Sequence, residues 1–384
     1  MKTVKTLALM LLGATLVGCT TGNAGNGENS DSGVDKGLVI SVDKLFIYNN
    51  GGADADGIAT FTVTYNGEDV TAESTIFKGE DEALDGNTFT STAEEACSFR
   101  FWASYGIEQT KSDILLNVVL TPPDAPAAPE DTYPEKTNFV RRILLTQFTG
   151  TGCGYCPEMM NALHTVAQNS YYGDKFVLAA AHLYGTADPA YLNDAKSLDR
   201  TLGVGTYPTV NADMWKNTGH RNSEKLVDLI QDALDRTTVK GGIAVNAEYH
   251  ADSKYVVINT LVKASEEADF RVGAWLLEDK ISGAQSNNGY TPIEGVNFDL
   301  HNNAIRLANK SRQPSGDYTG QTLGHLAKGE TMEKSFAFPL LKSWKPENLR
   351  VIVFISTKEG EKWYVNNVVK APIQGSVDFE YKGE

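Results

Sequence analysis

A proline-rich segment divides the chain into regions with different sequence patterns. Residues 121–136, TPPDAPAAPEDTYPEK, contain five of the 13 prolines. Proline fixes φ and lacks a backbone N–H donor, so this segment cannot continue a helix or enter the middle of a sheet. We predict an extended, semi-rigid linker over residues 121–137, with folded domains on both sides of it. A chain of 384 residues has room for two or three such domains.

The region before the linker has the pattern of β-strands. Within residues 38–120, Phe61, Val63 and Tyr65 alternate with threonines, and an Asn-Gly turn follows them. Such alternation indicates strands with one buried face, and several short strands in this length predict a β-sandwich. The stretch TYNGEDVT resembles the strand and turn of bacterial immunoglobulin-like domains. The resemblance implies an N-terminal immunoglobulin-like β-sandwich.

After the linker, strands alternate with helices and then give way to strands alone. Strand-like RRILLTQF and FVLAAAHLY alternate with helix-like CPEMMNALHTVAQ and SEKLVDLIQDALD, which predicts an α/β domain over residues 138–240. Six strand-like segments over residues 241–384 predict a C-terminal antiparallel β-sandwich. A long stretch within 282–330 lacks periodicity, and a loop of that length is either functional or a sign that the assignment of elements there is wrong.

The first residues form a targeting segment. Residues 1–18 have two lysines and then an apolar run too short to span a membrane, which is typical of a signal peptide. Their end, LVGC, resembles a bacterial lipobox and implies cleavage before Cys19 and lipid attachment to it. The alternative is an ordinary signal peptide followed by a chance cysteine. Residues 19–37 would then be the lipidated cysteine and a flexible Gly- and Asn-rich tether.

Net charge and hydropathy restrict the partners. The formal net charge of -15 repels phosphate backbones, so we expect no nucleic-acid partner. No later segment offers 18 continuous apolar residues, so we expect contact with the membrane through the lipid alone.

The chemistry is centred on Cys153 and Cys156, in TGCGYCPEMM. This motif follows a buried-type strand and opens a helix, where free N–H groups and the helix dipole favour a thiolate. We predict Cys153 as the exposed attacking sulfur and Cys156 as the shielded resolving sulfur. A zinc site would need about four ligands, and no second ligand pair is present, so we expect no metal and no other cofactor. An inert structural disulfide remains an alternative.

Residues 138–238 resemble the thioredoxin superfamily. The strand–CGYC–helix unit and the later LGVGTYPTV carry the resemblance. It implies that Pro208 is a cis-proline facing the disulfide and that Thr206 and Tyr207 hold a substrate chain. Gly154 and Tyr155, between the cysteines, resemble the dipeptide of periplasmic disulfide isomerases and would contribute to substrate binding and redox tuning.

Two positions depart from the thioredoxin pattern. Gly152 stands where a tryptophan usually precedes the first cysteine, and Gln147 replaces a buried acid. Gln147 cannot accept a proton from the resolving thiol, so a proton relay through it is excluded.

The C-terminal region, with the lipobox and the CxxC, resembles the outer-membrane-protein-28 family of lipoproteins over residues 138–384. The segments FRVGAWLLEDKISGAQS, HNNAIRLA and NLRVIVFISTKEGEKWYVNNVVKAPI carry this resemblance. It implies an outer-membrane location, on either the periplasmic or the cell-surface face. His301, Asn302 and Arg306 within it would form a polar site on a helix or hold the long loop in place.

The predicted fold class is therefore multidomain α+β, with a thioredoxin-like domain between an immunoglobulin-like β-sandwich and an antiparallel β-sandwich. Two functions remain open. The first is a thiol–disulfide oxidoreductase that acts on exported proteins with thiols or disulfides. The second is a surface binding or adhesion lipoprotein whose thioredoxin-like unit is a scaffold. Cys97 is either a buried small hydrophobe or a redox partner.

The lipobox generates the first prediction. A Cys19→Ala variant should lose acylation and leave the membrane fraction, because the acyl chains on Cys19 supply the predicted membrane attachment. Mass spectrometry of the mature N-terminus and membrane fractionation measure both effects. A Cys97→Ala variant is the matched control and should stay acylated. Wild-type protein recovered free, with an unmodified N-terminus, would contradict the lipoprotein prediction.

Overall fold

The protein is described here by a computed structural model covering residues 37–52, 55–184, 188–192, 195–308 and 318–383. The predicted signal peptide, Cys19 and nearly all of the predicted tether lie outside the described residues. Within them, strands dominate: 25 strands accompany three α-helices. No α-helix in this part of the chain combines the length and the apolar character that a bilayer crossing needs.

The N-terminal strands form two sheets around a core of their own. The strands are β1 Leu38–Val42, β2 Phe46–Tyr48, β3 Ile58–Tyr65, β4 Glu68–Asp69, β5 Thr75–Lys78, β6 Glu82–Ala83, β7 Thr88–Thr90, β8 Cys97–Tyr105, β9 Glu108–Gln109 and β10 Ile114–Val119. One sheet has the order β1-β3-β4, with β7 also on β3, and the other has the order β2-β10-β8-β5-β6, with β9 on β8. Phe61, Val63 and Phe101 are fully buried between them, as the alternation in β3 predicted.

The region after the linker alternates strands and helices. It contains β11 Ile143–Thr149, α1 Cys156–Ala167, β12 Phe176–His182, α2 Ala195–Leu202, β13 Thr209–Ala212, β14 Lys216–Thr218 and α3 Ser223–Arg236. β11 is buried along its whole length. Ile143 and Leu145 on one of its faces pack with residues of α1 and α3. Leu144 and Phe148 on its other face belong to a second hydrophobic cluster.

The remaining elements are strands, and all six predicted strands after Gly241 are present. The strands are β15 Gly241–His250, β16 Tyr255–Ala264, β17 Ala268–Glu278, β18 Ile281–Ser282, β19 Leu300–His301, β20 Ala304–Ala308, β21 Gln321–Leu326, β22 Thr331–Pro339, β23 Leu349–Glu359, β24 Lys362–Pro372 and β25 Gly375–Val377. The long aperiodic stretch therefore does contain short strands. His301 and Arg306 lie in these strands, so the helix considered for HNNAIRLA is wrong.

The predicted fold class is wrong, because residues 138–240 do not form a separate α/β domain. A nine-stranded sheet runs in the order β14-β13-β11-β12-β20-β17-β23-β24, with β21 also on β17. β12 pairs in parallel with β20 at Ala180 and Ala304, so the predicted boundary at 240 falls inside one sheet. The hydrophobic cluster that contains Leu144 and Phe148 also spans this boundary, since Phe148 packs in one core with Trp275 and Phe354.

A four-stranded sheet, β22-β16-β15-β25, packs on the C-terminal part of this large sheet. Val245 and Ile258 of the small sheet share a core with Val272 and Val353 of the large one. Phe46 and Val119 of the N-terminal sheets join the same core. The N-terminal strands are thereby fixed against the rest of the chain by apolar contact.

The proline-rich segment lies against the small sheet. Lys263, which is fully buried, donates from Nζ to an Asp131 carboxylate oxygen at 2.7 Å and to the Pro134 carbonyl at 2.7 Å. Asn246 and Asn259 donate to the carbonyls of Ala127 and Pro126. The segment makes these contacts without regular secondary structure, as its prolines require.

Arg141 joins the start of β11 to three other elements. It donates from Nη2 to Asp213 at 2.8 Å, from Nη1 to the Ala233 carbonyl at the end of α3, and from Nε to the Asn366 carbonyl in β24. Asp213 is fully buried and also accepts the Leu144 backbone N–H at 2.9 Å. One side chain thus connects β11, α3, β24 and the end of β13.

The second prediction follows from this burial. An Arg141→Ala variant should lose roughly 3–5 kcal/mol of unfolding free energy, because the buried Asp213 carboxyl loses its partner at 2.8 Å and keeps only the Arg236 guanidinium, 4.0 Å away. Urea unfolding at neutral pH measures the loss.

The neighbouring residue supplies the control. Arg142 pairs with Glu380 at the surface, and the two side chains are 23% and 51% exposed. An Arg142→Ala variant should lose about 1 kcal/mol or less. Equal losses from both variants would show that the buried pair has no special role.

Candidate functional site

The two cysteines of the CGYC motif form a disulfide where α1 begins. The S–S distance is 1.99 Å and the Cα atoms are 5.4 Å apart. Cys156 is the first residue of α1, and its backbone N–H donates to the Cys153 carbonyl at 3.1 Å. The predicted strand–CGYC–helix unit is therefore present, and the disulfide lies beside the free N–H groups of a helix N-terminus.

Both cysteines are buried. Cys153 is 4% exposed and Cys156 is fully buried, whereas Tyr155 between them is 51% exposed. The prediction that Cys153 presents an exposed sulfur is wrong for this disulfide state. Its burial comes from tertiary contacts that the local sequence does not reveal.

Glycines allow the loop before the cysteines to pass close to a neighbouring segment. A Cβ at Gly150 would overlap the backbone of Tyr184, and the Gly152 N–H donates to the Tyr184 carbonyl at 3.2 Å. Tyr184 follows β12, which is parallel to β11, so both segments leave the same edge of the sheet. This close approach is a physical reason for glycine at 150.

The Tyr207–Pro208 segment lies at the same end of β11. The peptide bond between Tyr207 and Pro208 is cis, as the resemblance implied. Thr209, the next residue, pairs with Phe148 in antiparallel register, which places the segment beside the end of β11 from which the CGYC loop emerges. Its role in substrate binding stays a prediction.

The side chains of this segment have defined partners. The Tyr207 hydroxyl donates to Asp199 at 2.9 Å, and burial together with this hydrogen bond raises the pKa of Tyr207. The Thr206 carbonyl accepts the Thr209 hydroxyl at 2.8 Å.

Tyr155, between the cysteines, has a cationic neighbour. The Arg221 guanidinium lies 4.8 Å from the ring centre of Tyr155. Aromatic surface is therefore available next to the disulfide.

A buried His–Asp–His cluster lies behind the CGYC loop. His182 Nδ1 and Asp188 Oδ2 are 2.8 Å apart, and the rings of His182 and His301 are 5.0 Å apart. Asp188 accepts the backbone N–H of Thr151 at 2.8 Å, so the cluster is tied to the loop two residues before Cys153. Sequence reasoning gave no signal for Asp188, because its contact with the Thr151 N–H joins two segments that are 37 residues apart in the chain.

Burial shapes the ionisation of this cluster. Burial and the neighbouring His182 hold the pKa of His301 below its ordinary value. Burial would raise the pKa of Asp188, but hydrogen bonds from His182 and from two backbone N–H groups outweigh it and keep that pKa low. His301 is thus neutral at neutral pH, and its Nε2 donates to the Gly283 carbonyl at 2.9 Å.

Gln285 is a second residue at the CGYC loop that sequence reasoning missed. Its amide Nε2 lies 3.2 Å from the Gly150 carbonyl and 3.0 Å from the Cys153 carbonyl. It is 8% exposed and comes from the segment between β18 and β19. Gln147, within β11, is also buried, and its Nε2 has no hydrogen-bond partner among the described residues.

Other candidate residues do not join the disulfide. Asn302 accepts the Lys280 N–H, and Arg306 donates to Glu278 and to the Pro189 carbonyl. These contacts hold loops in place, which was one of the two roles considered.

Cys97 is a partly buried free thiol on β8, and burial raises its pKa. Across the described ranges, no three His, Cys, Asp or Glu side chains gather as a metal site.

The fold and the site define a β-rich protein with a buried CxxC disulfide at the start of a helix. Residues 195–377, just under half of the chain, match the family model described as outer membrane protein Omp28. The match confirms the family resemblance for this part of the chain and the predicted outer-membrane location. The CGYC motif lies outside the matched residues, and the thioredoxin-like resemblance is not confirmed.

Solved structures add two distant likenesses. HBP35 of Porphyromonas gingivalis is 16% identical, with 65% of this chain and 79% of that chain covered, at a TM-score of 0.49. A domain of the outer membrane lipoprotein Omp28 from Porphyromonas gingivalis is 18% identical, with 36% of this chain and 91% of that chain covered, at a TM-score of 0.22. Both scores are low, so neither likeness defines the fold. None of the curated proteins matches the sequence.

The third prediction concerns pH. Because the pKa of His301 is lower in the folded state than in the unfolded state, His301 contributes stability that is complete above its ordinary pKa of about 6.5. That contribution should fall as the pH drops below this value. A His301→Gln variant can still donate to Gly283 but does not titrate, so its unfolding free energy should decline less between pH 7.5 and pH 5.

His325 provides a control of opposite sign. It is exposed, and hydrogen bonds to Asp269 and Glu267 raise its pKa. The stability that His325 contributes is present at low pH and is lost as the pH rises. His325→Gln should therefore make the unfolding free energy fall more steeply between pH 7.5 and pH 5. Urea unfolding at both pH values measures the two slopes. Identical slopes for wild type and His301→Gln would contradict the burial effect.

Proposed function

We propose that the protein carries out thiol–disulfide exchange on exported proteins through Cys153 and Cys156. The observation that supports this most is the position of the disulfide at the first turn of α1, with Cys156 as the first helical residue. Backbone N–H groups and the helix dipole at such a position stabilise a thiolate and lower its pKa. A structural purpose is weak, because a disulfide that closes so short a loop removes little chain entropy.

One round of exchange involves only the two cysteines and the client. In the reduced protein, the Cys153 thiolate attacks one sulfur of a client disulfide, and the other client sulfur leaves as a thiolate. The Cys156 thiolate then attacks Cys153 Sγ in the mixed disulfide. The client departs as a dithiol, and the Cys153–Cys156 disulfide is regained. The same steps in reverse oxidise a client dithiol.

The surroundings of the disulfide are suited to a polypeptide client. Tyr155 and Tyr184 are 51% and 49% exposed. The Tyr184 ring lies 5.8 Å from that of Tyr207, which precedes Pro208. Aromatic rings that carry polar tips are common in protein-recognition surfaces. The outer-membrane location restricts the clients to exported proteins, with a lipid on Cys19 as the proposed anchor.

The second candidate is a binding lipoprotein in which the disulfide is inert. The burial of both sulfurs favours it, since a buried disulfide is slow to react with external thiols. The midpoint potential separates the two functions. A disulfide that equilibrates with glutathione supports exchange, whereas a potential below about -300 mV supports a structural role.

The fourth prediction tests the proposed division of roles. A Cys156→Ala variant should accumulate mixed disulfides with client proteins, because it keeps the attacking thiol and lacks the resolving one. A Cys153→Ala variant should capture none, because Cys156 is fully buried. Non-reducing gels of intact envelopes, followed by mass spectrometry of captured partners, measure both.

Cys97 needs its own control. Both variants are therefore also made on a Cys97→Ala background, so that a captured partner can be assigned to the CGYC motif. Capture by neither variant, together with a wild-type disulfide that resists glutathione, would overturn the exchange function and favour the binding lipoprotein.

A further inference from the structure

Residues 283–299, which we call the cover segment, form a loop whose two ends are paired. β18 and β19 flank it as an antiparallel pair, with Ser282 opposite Leu300. The Gly283 N–H donates to the Asp299 carbonyl at 3.0 Å and extends this pairing by one step. The cover segment is therefore a loop with a hydrogen-bonded base.

The first part of the cover segment lies on the CGYC loop. The Ser286 N–H donates to the Thr151 carbonyl at 2.8 Å, and Gln285 Nε2 donates to the Cys153 carbonyl at 3.0 Å. A Cβ at Gly154 would overlap the Asn288 side chain. Backbone, amide and side-chain contacts thus converge on the residues that surround Cys153.

The second part of the cover segment follows α1. The Tyr290 ring lies 6.5 Å from the ring of Tyr155, which stands directly before the first residue of α1. Asn161 then makes two hydrogen bonds, donating to the Thr291 carbonyl at 3.0 Å and accepting the Ile293 N–H at 3.2 Å. The segment covers the start of the helix at which the disulfide lies.

These contacts are mostly polar, and most of the segment is exposed. Gln285 and Phe298 are its buried side chains, whereas Ile293 is 41% exposed. A segment with few buried apolar contacts opens at a small cost relative to global unfolding. We therefore expect this segment to open more readily than the buried strands.

We propose that the cover segment occupies the place of the client polypeptide and competes with it for the disulfide. This inference rests on the proposed exchange function. An extended client segment would take over the Thr151 carbonyl as a backbone hydrogen-bond acceptor and would pass over Gly154, where the lack of a side chain leaves room. The cover segment keeps Cys153 buried until such a segment displaces it, which makes an extended polypeptide the substrate class.

The test uses two ways of removing the cover in the full-length protein. In the first variant, Asn-Gly replaces residues 284–298, because a two-residue turn can join the paired ends of β18 and β19. In the second, Gln285→Ala removes contacts of the first part of the cover segment and Asn161→Ala removes those at Thr291 and Ile293. Glutathione reduction of the disulfide is followed by rapid alkylation and mass spectrometry.

The disulfide of both variants should be reduced at least about fivefold faster than that of the wild type. This is the rate change expected when one or more hydrogen bonds that close the site are lost. Gln374→Ala with Asn246→Ala is the matched control, since Gln374 accepts the Tyr249 N–H and Asn246 donates to Ala127, both away from the disulfide. The control should be reduced at the wild-type rate. Thermal unfolding identifies a variant that is faster only because it has unfolded.

Client capture distinguishes the failure of this inference from the failure of the proposed function. Added to Cys156→Ala, the cover variants should capture clients faster than Cys156→Ala alone. Folded variants that are reduced at the wild-type rate would overturn the cover role, even if capture occurs. Faster reduction without any capture would contradict the exchange function. It would also remove the proposed competition between the cover segment and a client.

Discussion

The structure depends on a buried ion pair between Arg141 and Asp213. Arg141 stands immediately before β11, and its guanidinium reaches the end of α3 and the backbone of β24. A buried charge is costly unless its partner and its remaining hydrogen bonds are in place, so this pair forms only when all these elements have assembled. The region that carries the disulfide is thereby attached to the C-terminal sheet.

This attachment makes the candidate site composite. The strand and helix that present the disulfide come from residues 143–167, whereas the cover segment comes from residues 283–299, between two C-terminal strands. The pairing of β12 with β20 brings the two regions together across more than a hundred residues of sequence. The Omp28 family match includes the cover segment and excludes the cysteines. The proposed chemistry therefore belongs to one region and its regulation to the other.

The disulfide combines two opposing influences. Its position at a helix start favours a thiolate and hence exchange, whereas its burial slows any thiol that approaches from outside. The cover segment reconciles them, because the burial of Cys153 comes partly from a polar loop with an intact base. Gln285 donates to the Cys153 carbonyl and the Asn288 side chain lies against Gly154, so residues distant in sequence contribute to the surroundings of the motif.

Local sequence determined the long strands, the start of α1 at Cys156 and the irregular path of the proline-rich segment. These features follow from side-chain alternation, helix-opening motifs and proline geometry, which act over a few residues. Tertiary structure alone decided that the α/β region joins a nine-stranded sheet, that His182, Asp188 and His301 meet, and that Cys153 is buried. A strand buried on both faces, such as β11, has the same local pattern whether its faces are covered by nearby helices or by distant strands. The choice between them is made by long-range pairing and by buried groups such as Arg141, which local periodicity does not record.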